Sequence, residues 1–162
     1  MQESPQVKTK SPEQALAALM RLCSRAEKSS GDARRLMARW GVAASERDGV
    51  LAKLVEMRFI DDSRFASAYV RDRSRFGGWG AYKIRAGLRN KGVSEEIINE
   101  ALSQLTDEGS EEQLLRQVER KAPKVKAAND YELKTKLIRF ALSRGFEYDT
   151  VLTVVERFMK ER

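Results

Sequence analysis

Three glycines constrain this chain more than any other feature. Gly41, Gly92 and Gly145 recur at intervals of 51 and 53 residues, and the residues around them recur too. Directly after each glycine stands an apolar residue: Val42, Val93 or Phe146. Four places before stand Met37, Leu88 and Ala141; ten places after stand Leu51, Leu102 and Val155; thirteen after stand Leu54, Leu105 and Phe158. A glycine at the end of an apolar helical run reads as a left-handed C-terminal cap. The pattern therefore predicts one helical unit built three times.

The helix signals agree. Ser11-Pro12-Glu13-Gln14 is a capping box with proline at the first helical position, ahead of Leu16, Leu19, Met20 and Cys23 at helical spacing. Ser29-Ser30-Gly31 breaks that helix, a second runs from about Asp32 to Gly41, and Ser45 caps a third. In the second pass Asp61-Asp62-Ser63 opens a helix with the apolar stripe Phe65, Ala66, Tyr69, Val70 and Phe76. Gly77-Gly78-Trp79-Gly80 breaks it, and further helices carry Ile84 and Leu88 and then follow Ser94. In the third pass Thr106 to Ser110 reads as a linker, and Ser110-Glu111-Glu112-Gln113 as another capping box. Pro123 ends that helix, and the last two helices flank Gly145.

The expected fold is all-α, with three tandem three-helix, helix-turn-helix-like repeats. A disordered tail is expected over residues 1–10, and the repeats span residues 11–60, 61–106 and 107–162. Units of that size bury too little surface to be very stable alone, so neighbours should share their packing.

Residue usage narrows the function. The chain has 162 residues and no histidine, which removes the commonest general base and nearly every zinc site type. Carboxylate or lysine chemistry remains open, so an enzyme is disfavoured rather than excluded. Cys23 is the single cysteine, so no internal disulfide is possible; Cys23 and Trp40 read as core. The start is polar, and no apolar run is long enough to span a bilayer, so a cytoplasmic location is expected.

The net charge of +7 is not spread evenly. Residues 64–91 hold eight basic side chains against the single acid Asp72, whereas residues 1–60 and 107–162 carry mixed charge with nets of +4 and +1. Such a footprint suits phosphates or an acidic groove, although a solvated helical face would look the same. Gly77-Gly78-Trp79-Gly80 has neither the P-loop nor the dinucleotide spacing, and it reads as a chain reversal. Trp79 is expected to pack into the core or, alternatively, to stack on a partner. Asp61 and Asp62 precede a helix, where capping is the expected role. The third helices open on Glu46-Arg47-Asp48, Glu95-Glu96 and Tyr148-Asp149. Acidic starts like these argue against sequence-specific reading of DNA by those helices.

The chain resembles the RecX family, bacterial modulators of the RecA recombinase. The resemblance rests on Phe59-Ile60-Asp61-Asp62-Ser63-Arg64-Phe65-Ala66, on Arg73-Ser74-Arg75, and on Leu88-Arg89-Asn90-Lys91-Gly92-Val93. It continues in Arg139-Phe140-Ala141-Leu142-Ser143-Arg144-Gly145-Phe146. The run after Arg75 departs from the family pattern, with Phe76-Gly77-Gly78 where a Lys-Gly pair is common. The resemblance implies tandem three-helix repeats in an elongated, curved arrangement. It also implies binding to the RecA–single-stranded DNA filament, inhibition of the recombinase and of its ATPase and coprotease activities, and no cofactor. A monomer without membrane contact is expected, with Arg64, Arg71, Arg75, Lys83, Arg85, Arg89 and Lys91 as the partner- or DNA-binding residues. The alternative is a helical module that binds nucleic acid directly, without a recombinase.

Overall fold

The computed structural model describes residues 9–162; the rest of the expected tail, residues 1–8, lies outside them. Nine α-helices and no strand occur among the described residues. They are α1 (Pro12–Arg25), α2 (Ser30–Arg39), α3 (Ala44–Glu56), α4 (Asp62–Arg75), α5 (Ala81–Asn90), α6 (Glu95–Leu102), α7 (Asp107–Lys121), α8 (Asp130–Ser143) and α9 (Tyr148–Glu161). A single 3-10 turn, Ala122–Lys124, follows α7 where Pro123 cannot continue it.

By their internal contacts the residues form two units, one up to Ala66 together with Arg89–Ile97, the other Ser67–Leu88 with Ile98–Arg162. The core of the first is built on Leu19, Met37, Val42, Leu51, Leu54 and Ile60, with Cys23 and Trp40 half-buried at its edge rather than inside. The core of the second is built on Leu114, Val118, Leu137, Ala141, Phe146, Val151 and Val155. The glycine pattern holds in three dimensions. Gly41, Gly92 and Gly145 have φ of 71°, 76° and 91°, the left-handed region that penalises any Cβ. The residues four before and one after them are all buried. The outer columns hold less well, because α6 ends at Leu102; Leu102 is only half-buried and Leu105 lies past the helix.

The carbonyl preceding each of these glycines is a docking point. In the first unit the Ser29 hydroxyl donates to the Lys91 carbonyl at 2.6 Å. Gly31 lies so close that a Cβ there would fall 2.2 Å from that oxygen. In the second unit the Gly80 N–H donates to the Arg144 carbonyl at 2.8 Å and the Tyr82 N–H to the Gly145 carbonyl at 3.0 Å. A Cβ on Gly80 would meet Gly145 and Phe146 backbone atoms at 2.5 Å. The same joint is thus made twice: the start of one repeat's second helix lies against the glycine turn of the next repeat.

Several local expectations change. Ser29 does not end a helix but caps the next one, in a capping box with Asp32, and Gly31 lies inside α2. Ser45 is within α3, whose N-cap Ala43 offers no side-chain bond. Ser110 is likewise internal; α7 starts earlier because Thr106 accepts from the Gly109 N–H at 3.0 Å, which absorbs the expected linker into its first turn. Phe76 falls beyond the end of α4 and is 85% exposed, so it belongs to no core stripe. Lys10 is not part of a loose tail: its N–H donates to the Trp40 carbonyl at 2.8 Å.

Candidate functional site

The basic residues of the middle repeat divide between the units. In the first unit, the Arg64 guanidinium pairs with Glu27 at 2.8 Å and also donates to the Arg58 and Phe59 carbonyls at 3.2 and 3.3 Å. That contact braces the turn after α3, where Arg58 takes the unfavourable φ of 62°. Arg89 pairs with Glu95, and Lys91 with Asp32 at 3.2 Å. Burial opposes ionisation of Asp32, but the Ser29 N–H, Arg35 and Lys91 outweigh it and hold the pKa below the ordinary aspartate value. Asp61 takes the capping role, accepting from the Arg64 N–H at 3.0 Å, and Asp62 accepts from the Ser30 N–H at 2.7 Å. Arg64, Arg89 and Lys91 are therefore engaged within the fold.

In the second unit Arg71 is exposed beside Asp72 at 3.6 Å, and Arg85 donates to the Asn99 side chain at 2.8 Å. Trp79 is neither fully in the core nor freely exposed. It is half-buried, with the Lys83 ammonium 4.7 Å and the Arg73 guanidinium 5.0 Å from its ring centroid, and Tyr69 meets it edge-on at 6.3 Å.

The Gly77-Gly78 turn is tied down from α7 and the end of α8. Gln117 donates to the Gly78 carbonyl at 3.0 Å and accepts from Arg144 Nε at 3.2 Å; Arg144 also donates to the Gly77 carbonyl, and Gln113 to the Ser74 carbonyl. Beside this turn opens a cleft of about 480 Å³, lined by Arg75, Arg116, Arg120 and Arg144, by Thr106, Ser110, Gln113 and Gln117, and by Phe76. No carboxylate lines it. Arg116, Arg120 and Arg144 are invisible in the local charge map, since the acids of residues 107–162 nearly cancel them. The signal that could reveal them is spacing: Gln113, Arg116, Gln117 and Arg120 share one helical face.

Among the described residues no group of three or more Cys, Asp or Glu side chains could hold a metal ion, and no helix is long and apolar enough to cross a membrane.

Fold and surface together define a class: tandem three-helix domains with cationic and aromatic groups outside and no metal-binding cluster among the described residues. The comparisons make it specific. Residues 61–102 match the family description "RecX, second three-helix domain", and residues 109–155 match "RecX, third three-helix domain". The regulatory protein RecX of Neisseria meningitidis is 34% identical over 151 residues, covering 93% of this chain and 95% of that protein. That of Clostridium botulinum is 36% identical over 105 residues, 64% of this chain; such clostridial relatives are matched over only about half their length, 49% here. The crystal structure of RecX from Lactobacillus salivarius superposes with a TM-score of 0.82 at 20% identity, covering 90% of this chain and 95% of that one. The chain belongs to the RecX family.

Proposed function

We propose that this protein is a non-enzymatic regulator that binds the RecA–single-stranded DNA filament and inhibits the recombinase, acting as a monomer in the cytoplasm. The observation that carries the reading is the likeness to regulatory proteins RecX along nearly the whole chain. The charge distribution supports it. Arg71, Arg75, Lys83 and Arg85 lie in the second unit, where the basic run of α4 and α5 faces few acids. Arg71, Arg75, Lys83 and Arg85 are the proposed contacts of highest weight; Arg64, Arg89 and Lys91 contribute through the architecture they hold. The domain boundaries proposed with this reading are residues 11–60, 61–106 and 107–162.

The test is a paired charge reversal, Arg71→Glu with Arg85→Glu, assayed for inhibition of RecA's DNA-dependent ATPase. Inhibition should fall sharply while far-UV circular dichroism stays unchanged. Undiminished inhibition would refute the reading.

A further inference from the structure

Many arginines of this fold are spoken for, among them Arg34 by Asp48, Arg64 by Glu27, Arg89 by Glu95, Arg157 by Glu161 and Arg162 by Asp130. Three that share one cleft are not. Arg75, at the end of α4, and Arg116 and Arg120, one turn apart on α7, line the 480 Å³ cleft of the second unit. Among the described residues no hydrogen bond, ion pair or ring contact engages any of their side chains. Three like charges gathered around one concavity repel each other, and no carboxylate among the described residues lines it to offset them. The first turn of α7, with Thr106, Gly109 and Ser110, lines the same cleft and brings hydroxyls and the positive end of a helix to it. Asp107 and Glu108 stand in that turn but do not line the cleft.

The chemistry that satisfies these groups is an anion with several acceptor oxygens, for which the guanidinium fork is suited. Phe76 decides between sources. It is 85% exposed on the cleft wall, where a large apolar ring gains nothing from water. An acidic peptide would occupy the arginines and leave that ring idle. A nucleic-acid strand with unpaired bases supplies both partners at once, phosphate for the arginines and a base face for the phenyl ring. The cleft also falls within the roughly 300–1,000 Å³ typical of sites for small groups, large enough for a nucleotide.

We propose that this cleft seats the phosphodiester backbone of single-stranded DNA, held by Arg75, Arg116 and Arg120, with an adjoining base stacked on Phe76. The proposal deepens the filament reading and rests on it for the presence of single-stranded DNA. It places a DNA contact at a junction of the second and third domains, where Arg75 of α4 meets α7.

The experiment uses the full chain and a fluorescein-labelled oligothymidylate, with anisotropy read across a salt series and no recombinase present. Arg116→Gln with Arg120→Gln should reduce the slope of log affinity against log salt by about 0.7 for each phosphate that is no longer neutralised. Because neither side chain has a partner among the described residues and the loss of two like charges relieves repulsion, the melting temperature should not fall. Phe76→Ala should weaken binding about 5- to 150-fold with the slope unchanged. An unaltered slope and affinity in the double arginine variant would overturn the proposal. So would displacement of the oligonucleotide by polyglutamate at equal charge concentration, which would mark an acidic protein as the partner. Since recombinase is absent, this result and that of the Arg71→Glu/Arg85→Glu test stand or fall separately.

Discussion

Two glycines in the first unit should respond to the same substitution with opposite sign. Gly31 and Gly49 both lie within helices, α2 and α3, and neither has the positive φ that excludes a side chain. On helix propensity alone, alanine should stabilise each by about 0.5–1 kcal/mol. Around Gly49 nothing lies within 4 Å of the added Cβ, so that gain should appear undiminished. At Gly31 the new carbon would stand 2.2 Å from the Lys91 carbonyl oxygen, 2.8 Å from its carbon and 2.9 Å from the Gly92 Cα. Ordinary contact begins near 3.4 Å, so backbone must shift by roughly an ångström, and no flexible side chain can yield instead. That movement also stretches the Ser29–Lys91 bond at 2.6 Å and the Arg35–Asn90 bond at 2.6 Å. Overpacking of this kind costs about 1–3 kcal/mol, which outweighs the propensity gain at the first turn of a helix. Thermal unfolding followed at 222 nm should show Gly49→Ala melting roughly 1–4 °C higher and Gly31→Ala several degrees lower, at about 2–4 °C per kcal/mol for a chain of this size. A Gly31→Ala variant as stable as Gly49→Ala would refute the claim that the joint requires bare backbone.

Two further outcomes follow from half-buried Asp32 and buried Gln117. Asp32 has a lowered pKa, so its contribution to stability is complete above the unfolded value of about 4 and drains away as pH falls through the folded one. Urea midpoints of wild type should thus fall below about pH 4 more steeply than those of Asp32→Asn, and parallel curves would contradict this assignment. Gln117→Leu should lower stability by about 1–3 kcal/mol, because the Gly78 carbonyl and Arg144 Nε lose their shared partner in a site where Gln117 is 7% exposed. Amide exchange should accelerate at Gly77 and Trp79, whose N–H groups donate to the Asp72 and Arg73 carbonyls, in the same variant; unchanged protection and midpoint would show that the turn does not depend on Gln117.

Much of the fold is legible because it is written in local periodicity. The glycine caps, the Ser11 capping box and the apolar positions next to each glycine need only neighbouring residues to define them. Boundaries are less legible where two residues compete for one role. Ser29 and Ser30 both suit a cap, and only the Lys91 carbonyl waiting for the Ser29 hydroxyl explains why Ser29 is the one buried. Thr106 displaces Ser110 as the cap of α7 because the helix can begin a turn earlier without opposition. The surface is the least legible part. Counting charge along α4 and α5 finds Arg64 and Lys91 but not their partners Glu27 and Asp32, which are distant in sequence. It also passes over Arg116 and Arg120, whose acidic neighbours cancel them in a sum while pointing elsewhere on α7.

The joint between a helix start and a glycine turn has a polarity, as a link in a chain has a hook and an eye. Lys91 and Arg144 offer the eye, and the segments at Ser29 and Gly80 supply the hook. Trp40 carries a third eye, and there Lys10 donates its N–H while Thr9 lies against Gly41, so two residues outside any helix occupy it. The third hook would be the start of α8, but Asn129, Asp130 and Tyr131 stand there without a glycine, and the Tyr131 ring is 81% exposed. A side chain therefore stands in α8 at the place that bare backbone takes at Gly31 in α2. The two joints that do form both close on bare backbone, at Gly31 and at Gly80.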